Sequence, residues 1–295
     1  MFKFVDMKND SNSVPNKKSF EVPKKYITAG KTLQFFSTGL AADYALKLFS
    51  TPPQFKTPER EEMMRKSTKN ELLKIPSLNK EVMTYTYGYS KTKVLLAHGW
   101  AGRGTQLYEI ADKLLESGMM VISFDAPAHG LSKGKNTNLL EYLEVIKSIN
   151  EAYGPFHAAI GHSFGGIALL AAQAERPFLN KVALISIESS IHNIVNEFVS
   201  KLSLKPKVAK EMIKKIDKLI KKDVETLSAV ETGKNVKIPA LVIHDTEDYD
   251  VDVSSAFKVR QNLQNGILYI TNNLGHRRIL REPDVIFRII DFIRD

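Results

Sequence analysis

No cysteine occurs among the 295 residues, which excludes disulfides, thiolate metal sites and a cysteine nucleophile. That absence is compatible with a reducing compartment. Long apolar runs are missing too. A membrane-spanning helix needs about 18 or more consecutive apolar residues, and the best stretch, Ile27 to Phe49, is broken by Lys31, Asp43 and Lys47. The opening MFKFVDMKNDSNSVPNKK has no apolar core between a basic start and a small-residue cleavage site, so it does not read as a secretory signal. A cytoplasmic location is the expectation. His, Asp and Glu form no cluster at metal-ligand spacing, and no G-x-x-x-x-G-K-S/T phosphate loop occurs. The chemistry is therefore expected to need no metal and no cofactor.

What is present is ordinary for a globular chain: 43% hydrophobic and 25% charged residues, with length enough to bury a core unaided. Lys and Arg outnumber Asp and Glu by 42 to 33, giving a net charge of +9 and a pI of about 9.4. Such a balance points to nucleic acid only where a matching motif accompanies it. None does, so no nucleic-acid partner is expected and the lysines read as solvated faces. A basic face over 201–222, with the Ile27–Phe49 stretch, offers a less favoured reading as a contact with anionic lipid surfaces. Oligomeric state leaves no signature in the sequence.

Residues 1 to about 25 are polar, contain Pro15 and Pro23, and show no periodicity, so they read as mobile or loosely draped. Leu33, Phe36, Leu40, Tyr44 and Leu48 then recur at helical spacing, which predicts a helix over Lys31 to Phe49 that Pro52–Pro53 ends. Pro58 followed by Glu59, Glu61 and Glu62 predicts a second helix reaching Leu72. Residues 1–80 thus form an amino-terminal helical extension. From residue 81 to 295 short apolar runs alternate with helical stretches: Val82–Tyr87, Val94–His98, Met120–Asp125, Ala158–Ile160, Val182–Ile187, Leu241–His244 and Ile267–Ile270. The order predicts an α/β fold with a mostly parallel sheet covered by helices on both faces. Residues 189–236 break the alternation with an all-helical excursion, whose size and place suggest a lid.

The chemistry centres on Gly161-His162-Ser163-Phe164-Gly165. The motif follows a short apolar strand and opens an alanine-rich helix, the strand–turn–helix setting of a nucleophile elbow. In so tight a turn the residues two before and two after the serine, Gly161 and Gly165, must lack side chains. Serine needs a base. Of the seven histidines, His276 is best placed, on a loop between the last predicted strand and the terminal helix. The base in turn needs a carboxylate to fix its tautomer, and the segment His244-Asp245-Thr246-Glu247-Asp248-Tyr249-Asp250 offers four.

From Val82 to Asp295 the chain resembles the α/β-hydrolase superfamily, serine-nucleophile branch, with an esterase- or lipase-like pattern. The elbow 161–166, His98-Gly99-Trp100, Asp125-Ala-Pro-Ala-His129-Gly130-Leu-Ser132 and Leu274-Gly275-His276 stand in register with its motifs. In its acid loop, G-x-x-D-x-x-V, this chain has Asp245 in place of the glycine, and the match implies Asp248 as the acid. The resemblance also implies an oxyanion hole from the backbone N–H groups of Trp100 and Phe164. It gives His98, Gly99, Asp125 and His129 a bracing role in the loops. It implies a Ser163–His276–Asp248 triad acting on a small-molecule acyl substrate. Esters are the first choice; thioester, amide and acyltransfer chemistry, or a non-catalytic binding role, are the alternatives.

Overall fold

The near-continuous apolar runs become strands of one eight-stranded sheet. The computed structural model describes residues 22–295. The strands are β1 (Lys69–Ile75), β2 (Lys80–Tyr87), β3 (Lys93–Ala97), β4 (Met120–Phe124), β5 (Ala158–His162), β6 (Lys181–Ile185), β7 (Ala240–Asp245) and β8 (Gly266–Thr271). Their order is β1-β2-β4-β3-β5-β6-β7-β8. β1 pairs antiparallel with β2, and β2 with β4; every pairing from β4 onward is parallel. The helices are α1 (Lys24–Phe36), α2 (Thr38–Phe49), α3 (Glu59–Ser67), α4 (Tyr108–Glu116), α5 (Leu139–Tyr153), α6 (Phe164–Glu175), α7 (Ile191–Lys201), α8 (Pro206–Ile220), α9 (Ala229–Gly233), α10 (Ser254–Asn262), α11 (Gly275–Arg278) and α12 (Pro283–Arg294).

Period-2 geometry sends successive strand side chains to opposite faces, and two cores result. Leu95, Ala159, Leu184 and Val242 join one cluster with α5, α6 and α10; Leu96, Ile160, Ile185 and Ile243 join the other with α4 and α12. Each Leu or Ile buried this way stabilises the fold by about 1.5–3 kcal/mol before entropy is counted. A third cluster lies off the sheet. Ala41, Ala42 and Ala45 of α2 pack against Val195 and Val199 of α7 and Val208 and Met212 of α8.

Three features differ from expectation. The loose segment expected over residues 1 to about 25 lies outside the described residues as far as residue 21, and Lys24 and Lys25 already belong to α1. The single helix expected up to Phe49 is two: Ser37 is extended (φ −156°, ψ 134°), and its Oγ accepts from Gly39 N and Leu40 N as the cap of α2. The helix expected to reach Leu72 stops at Ser67, and Lys69–Ile75 form an edge strand with Leu72 opposite Met83 and Leu73 opposite Val82. Cross-strand pairing there overrides a helix-compatible composition.

Strand β3 lies between β4 and β5, so the chain leaves it to one side and returns to the other. That is the topological switch point of an open α/β sheet, where the carboxyl ends of strands leave a crevice. The His98-Gly99-Trp100 loop leaves β3 there, and Ser163 directly follows β5.

Candidate active site

Ser163 sits at φ 51°, ψ −119° between β5 and α6. For a residue with a Cβ this backbone costs about 1–3 kcal/mol, and it persists only where surrounding contacts hold it. They do: Ser163 N donates to Ile185 O at 2.8 Å, and Gly166 N donates to Ser163 O at 3.0 Å. A Cβ on Gly161 would stand 2.5 Å from Gly166 Cα, and one on Gly165 2.5 Å from His98 O. Both glycines are therefore required by close backbone approach, as the elbow reading expects.

His276 lies in α11, after Gly275 at φ 65°. Its Nδ1–H donates to Asp248 Oδ2 at 2.8 Å, and the Asp248 side chain is fully buried. The other Asp248 oxygen accepts from Asp250 N and Val251 N, both at 2.9 Å. Burial works against the Asp248 charge, but the hydrogen bond and charge of His276 and the Val251 N–H outweigh it and hold the carboxyl below its ordinary pKa. An ionised Asp248 bonded to Nδ1–H leaves the other ring nitrogen as the lone pair. His276 and Ser163 line the same cavity.

The loop after β3 closes the other side. A Cβ on Gly99 would stand 3.1 Å from Ser163 Cβ. His98, fully buried, donates from Nδ1 to Gly99 O at 2.7 Å and accepts from Ala126 N at Nε2, 3.0 Å. His129 accepts from Ala101 N at 3.1 Å and donates to Pro127 O at 3.0 Å. Burial drives His98 well below its ordinary pKa and His129 to about 4, so both are neutral braces. Asp125 accepts from Gly104 N, Leu131 N and Tyr85 OH at 2.6–2.7 Å. Among the described residues no hydrogen bond engages the N–H of Trp100 or of Phe164, the first residue of α6. Trp100 is half-buried, edge-on to Phe164 at 5.3 Å and stacked on Phe49 at 6.4 Å, as a wall of the cavity.

Two residues act here whose role the sequence did not reveal. His162 turns away from the serine and donates from Nε2 to the backbone oxygen of His276 at 3.0 Å. Burial, then the neighbouring His276, pushes it down to about 3, so it is a neutral strut under the base. Asp245, fully buried at the end of β7, accepts from Gly275 N at 2.8 Å, Glu247 N at 2.9 Å and Thr271 Oγ1 at 2.7 Å. Its backbone is not in the left-handed region, and the residue clamps the loop that carries Asp248 to the loop that carries His276.

The cavity holds about 1560 Å³. Ser163, His276, Trp100 and Phe164 form its floor, and Phe49 of α2, Ile194 and Phe198 of α7 and Ile216 of α8 its apolar upper wall. Donor atoms of Asp248, Asp250 and His276 converge within 4.8 Å, close enough to hold a cation. An ion there would compete for the groups that the acid–base pair uses.

Residues 94–217 match the model of the Alpha/beta hydrolase family, and residues 156–283 that of the Prolyl oligopeptidase family. A putative lipase from Acinetobacter baumannii AYE superposes with TM-score 0.62 at 20% identity, over 82% of this chain and 97% of that one. A Pyrococcus furiosus esterase does so with TM-score 0.64 at 18% identity, over 83% and 97%. A membrane phospholipase A described as a bacterial virulence factor reaches TM-score 0.61 at 17% identity, over 92% and 100%. No curated protein matches the sequence. The chain has the α/β-hydrolase fold.

Proposed function

We propose that the protein is a serine hydrolase that cleaves a carboxylic ester of a small-molecule acyl substrate through an acyl-enzyme. The observation that carries this reading is Ser163 on its strained elbow (φ 51°), sharing a cavity with a histidine whose Nδ1 is 2.8 Å from a buried carboxylate. His276 takes the serine proton as Oγ attacks the carbonyl carbon, then returns it to the leaving alcohol. Water, deprotonated by the same ring, adds to the acyl-enzyme and releases the acid. Asp248 holds the tautomer and stabilises the imidazolium. The unengaged N–H groups of Trp100 and Phe164 receive the oxyanion, each such donor being worth about 10²–10³ in rate. Relatives of this fold named esterase and lipase support the choice of an ester. Helices α7 and α8 within residues 189–236, packed with α2 and lining the cavity, serve as its lid. No helix among the described residues is long and apolar enough to cross a membrane, and we assign the enzyme to the cytoplasm.

The test is hydrolysis of p-nitrophenyl esters from acetate to palmitate by wild type and Ser163→Ala. Loss of about 10³-fold or more in the variant is expected, with an optimum set by the cavity. A wild type that cleaves none of them and leaves a fluorophosphonate unreacted would end the hydrolase reading.

A further inference from the structure

One wall of the cavity has no part in the ester chemistry. Arg60 of α3, Arg103 of the loop after β3, Arg277 beside the candidate base and Arg281 just beyond α11 all line it. They come from three distant parts of the chain yet meet in one region. Arg103 and Arg60 both act on Arg277, whose pKa is lowered by burial first and then by these like charges, while Asp250 opposes. The charges of Arg281 and Arg60 are both felt by Tyr108, another lining residue.

The carboxylates nearby are already engaged. Glu61 is bound by Arg103 at 3.2 Å and by Thr105 Oγ1 at 2.8 Å, and Asp250 lies 3.8 Å from Lys201. Acidic groups on the other walls are held as well: Asp43 by Lys215, Glu141 by Lys80 and Glu197 by Lys201, while Glu144 accepts from Ser77 and Glu188 from Ser189 and Ser255. Among the described residues neither Arg60 nor Arg281 forms an ion pair. Arg60 and Arg281 therefore remain as cations without a carboxylate partner in the cavity that His276 lines, together with the apolar Ile194, Phe198 and Ile216. Guanidinium groups suit carboxylate and phosphate oxygens because their planar fork offers paired donors. Like charges gathered in a partly dry cleft are also relieved by an incoming anion.

We propose that this arginine wall binds an anionic oxygen group of the substrate, so that the preferred ester carries an apolar chain and a carboxylate or phosphate. The inference rests on the hydrolase reading for the word substrate; binding of the anion does not depend on it.

The experiment compares matched pairs by kcat/KM. p-Nitrophenyl octanoate is set against the p-nitrophenyl half-ester of octanedioic acid, which puts a carboxylate on the acyl side. 1-Decanoylglycerol is set against 1-decanoylglycerol 3-phosphate, which puts a phosphate on the alcohol side. At least one charged member should exceed its neutral partner by about tenfold or more, and the pair that does so identifies the anion. The charged-to-neutral ratio should fall about tenfold in Arg60→Gln/Arg281→Gln, and in Arg60→Gln alone should fall by less, which serves if the double variant is unstable. Ratios near one for both pairs would overturn the proposal, as would an unchanged ratio in the variants. Fluorophosphonate labelling of Ser163 and calorimetric binding of 1-decanoylglycerol 3-phosphate to Ser163→Ala run beside it. Binding without labelling in the wild type would sink the hydrolase reading and keep the anion site; labelling with ratios near one would do the reverse.

Discussion

A triad of the kind proposed works only if its base is held still, and the residues that hold His276 carry no motif. Asp245 fixes the histidine loop by accepting Gly275 N at 2.8 Å, and the acid loop by accepting Glu247 N at 2.9 Å. Replacing it with Ala leaves Gly275 N, Glu247 N and Thr271 Oγ1 without their shared acceptor. Leaving a buried group unpaired costs about 1–3 kcal/mol. For Asp245→Ala we expect that loss in urea unfolding and a fall in kcat of about tenfold or more with KM little changed, because His276 loses its mooring rather than the substrate its site. Full kcat alongside the lost stability would make Asp245 a fold residue only. Ser163 and His276 were legible because their neighbours in sequence make their setting: glycines two either side of one, a strand end before the other. Asp245 and His162 were not. Their partners Thr271, Gly275 and His276 stand 26, 30 and 114 positions away, and nothing local announces them. The Trp100 and Phe164 donors are backbone groups that any residue would carry.

At the scale of elements, strands β3 to β7 could be read directly, since a strand buried on both faces must be apolar throughout, while β2 and β8, only partly buried, showed as shorter apolar runs. The edge strand β1 could not. Its sequence KNELLKI has exposed, half-buried and buried positions in an edge pattern and is as suited to a helix; only its ladder with β2 decides. Likewise the break at Ser37 interrupts an apolar spacing that continues in phase on either side. The pairing of α2 with α7 and α8 had no sequence signal at all, because three alanines of α2 read as helix formers rather than as contacts. Those alanines are fully buried, and they set how closely α2 approaches the helices over the cavity. Ala45→Leu inserts three carbons there and should cost about 1–3 kcal/mol by overpacking. Since Leu46 to Phe49 line the cavity, the same variant should shift the chain-length optimum on p-nitrophenyl esters while a small fluorophosphonate still labels Ser163. An unmoved optimum would separate α2 from the substrate pocket.

For the molecule as a whole, the price of assembling the site shows in its response to pH. His98, His129, His162 and His244 are all lowered by burial, His129 to about 4 and His162 to about 3. In the folded protein they stay neutral while the unfolded chain takes up protons below its ordinary histidine pKa of about 6.5. Stability therefore falls as pH drops below about 6.5, and each group's contribution stops falling only at its own folded value. At about 1.4 kcal/mol per pH unit, His129 and His162 each remove about 2 kcal/mol by pH 5. Asp248, held below its ordinary pKa, acts in the same direction at lower pH, its contribution being lost as pH falls through its folded value. Asp112 and Asp125, raised by burial, work the other way but are outnumbered. A domain is stable by only about 5–15 kcal/mol, so denaturant midpoints should drop steeply between pH 7 and about pH 5, well before most carboxylates titrate. His129→Gln should flatten that slope by about one proton's worth, since it removes an imidazole that must stay neutral. A flat stability profile across this window would mean that the braces of these loops carry protons in the native state, and the acceptor role assigned to Nε2 of His98 and of His129 would then be lost.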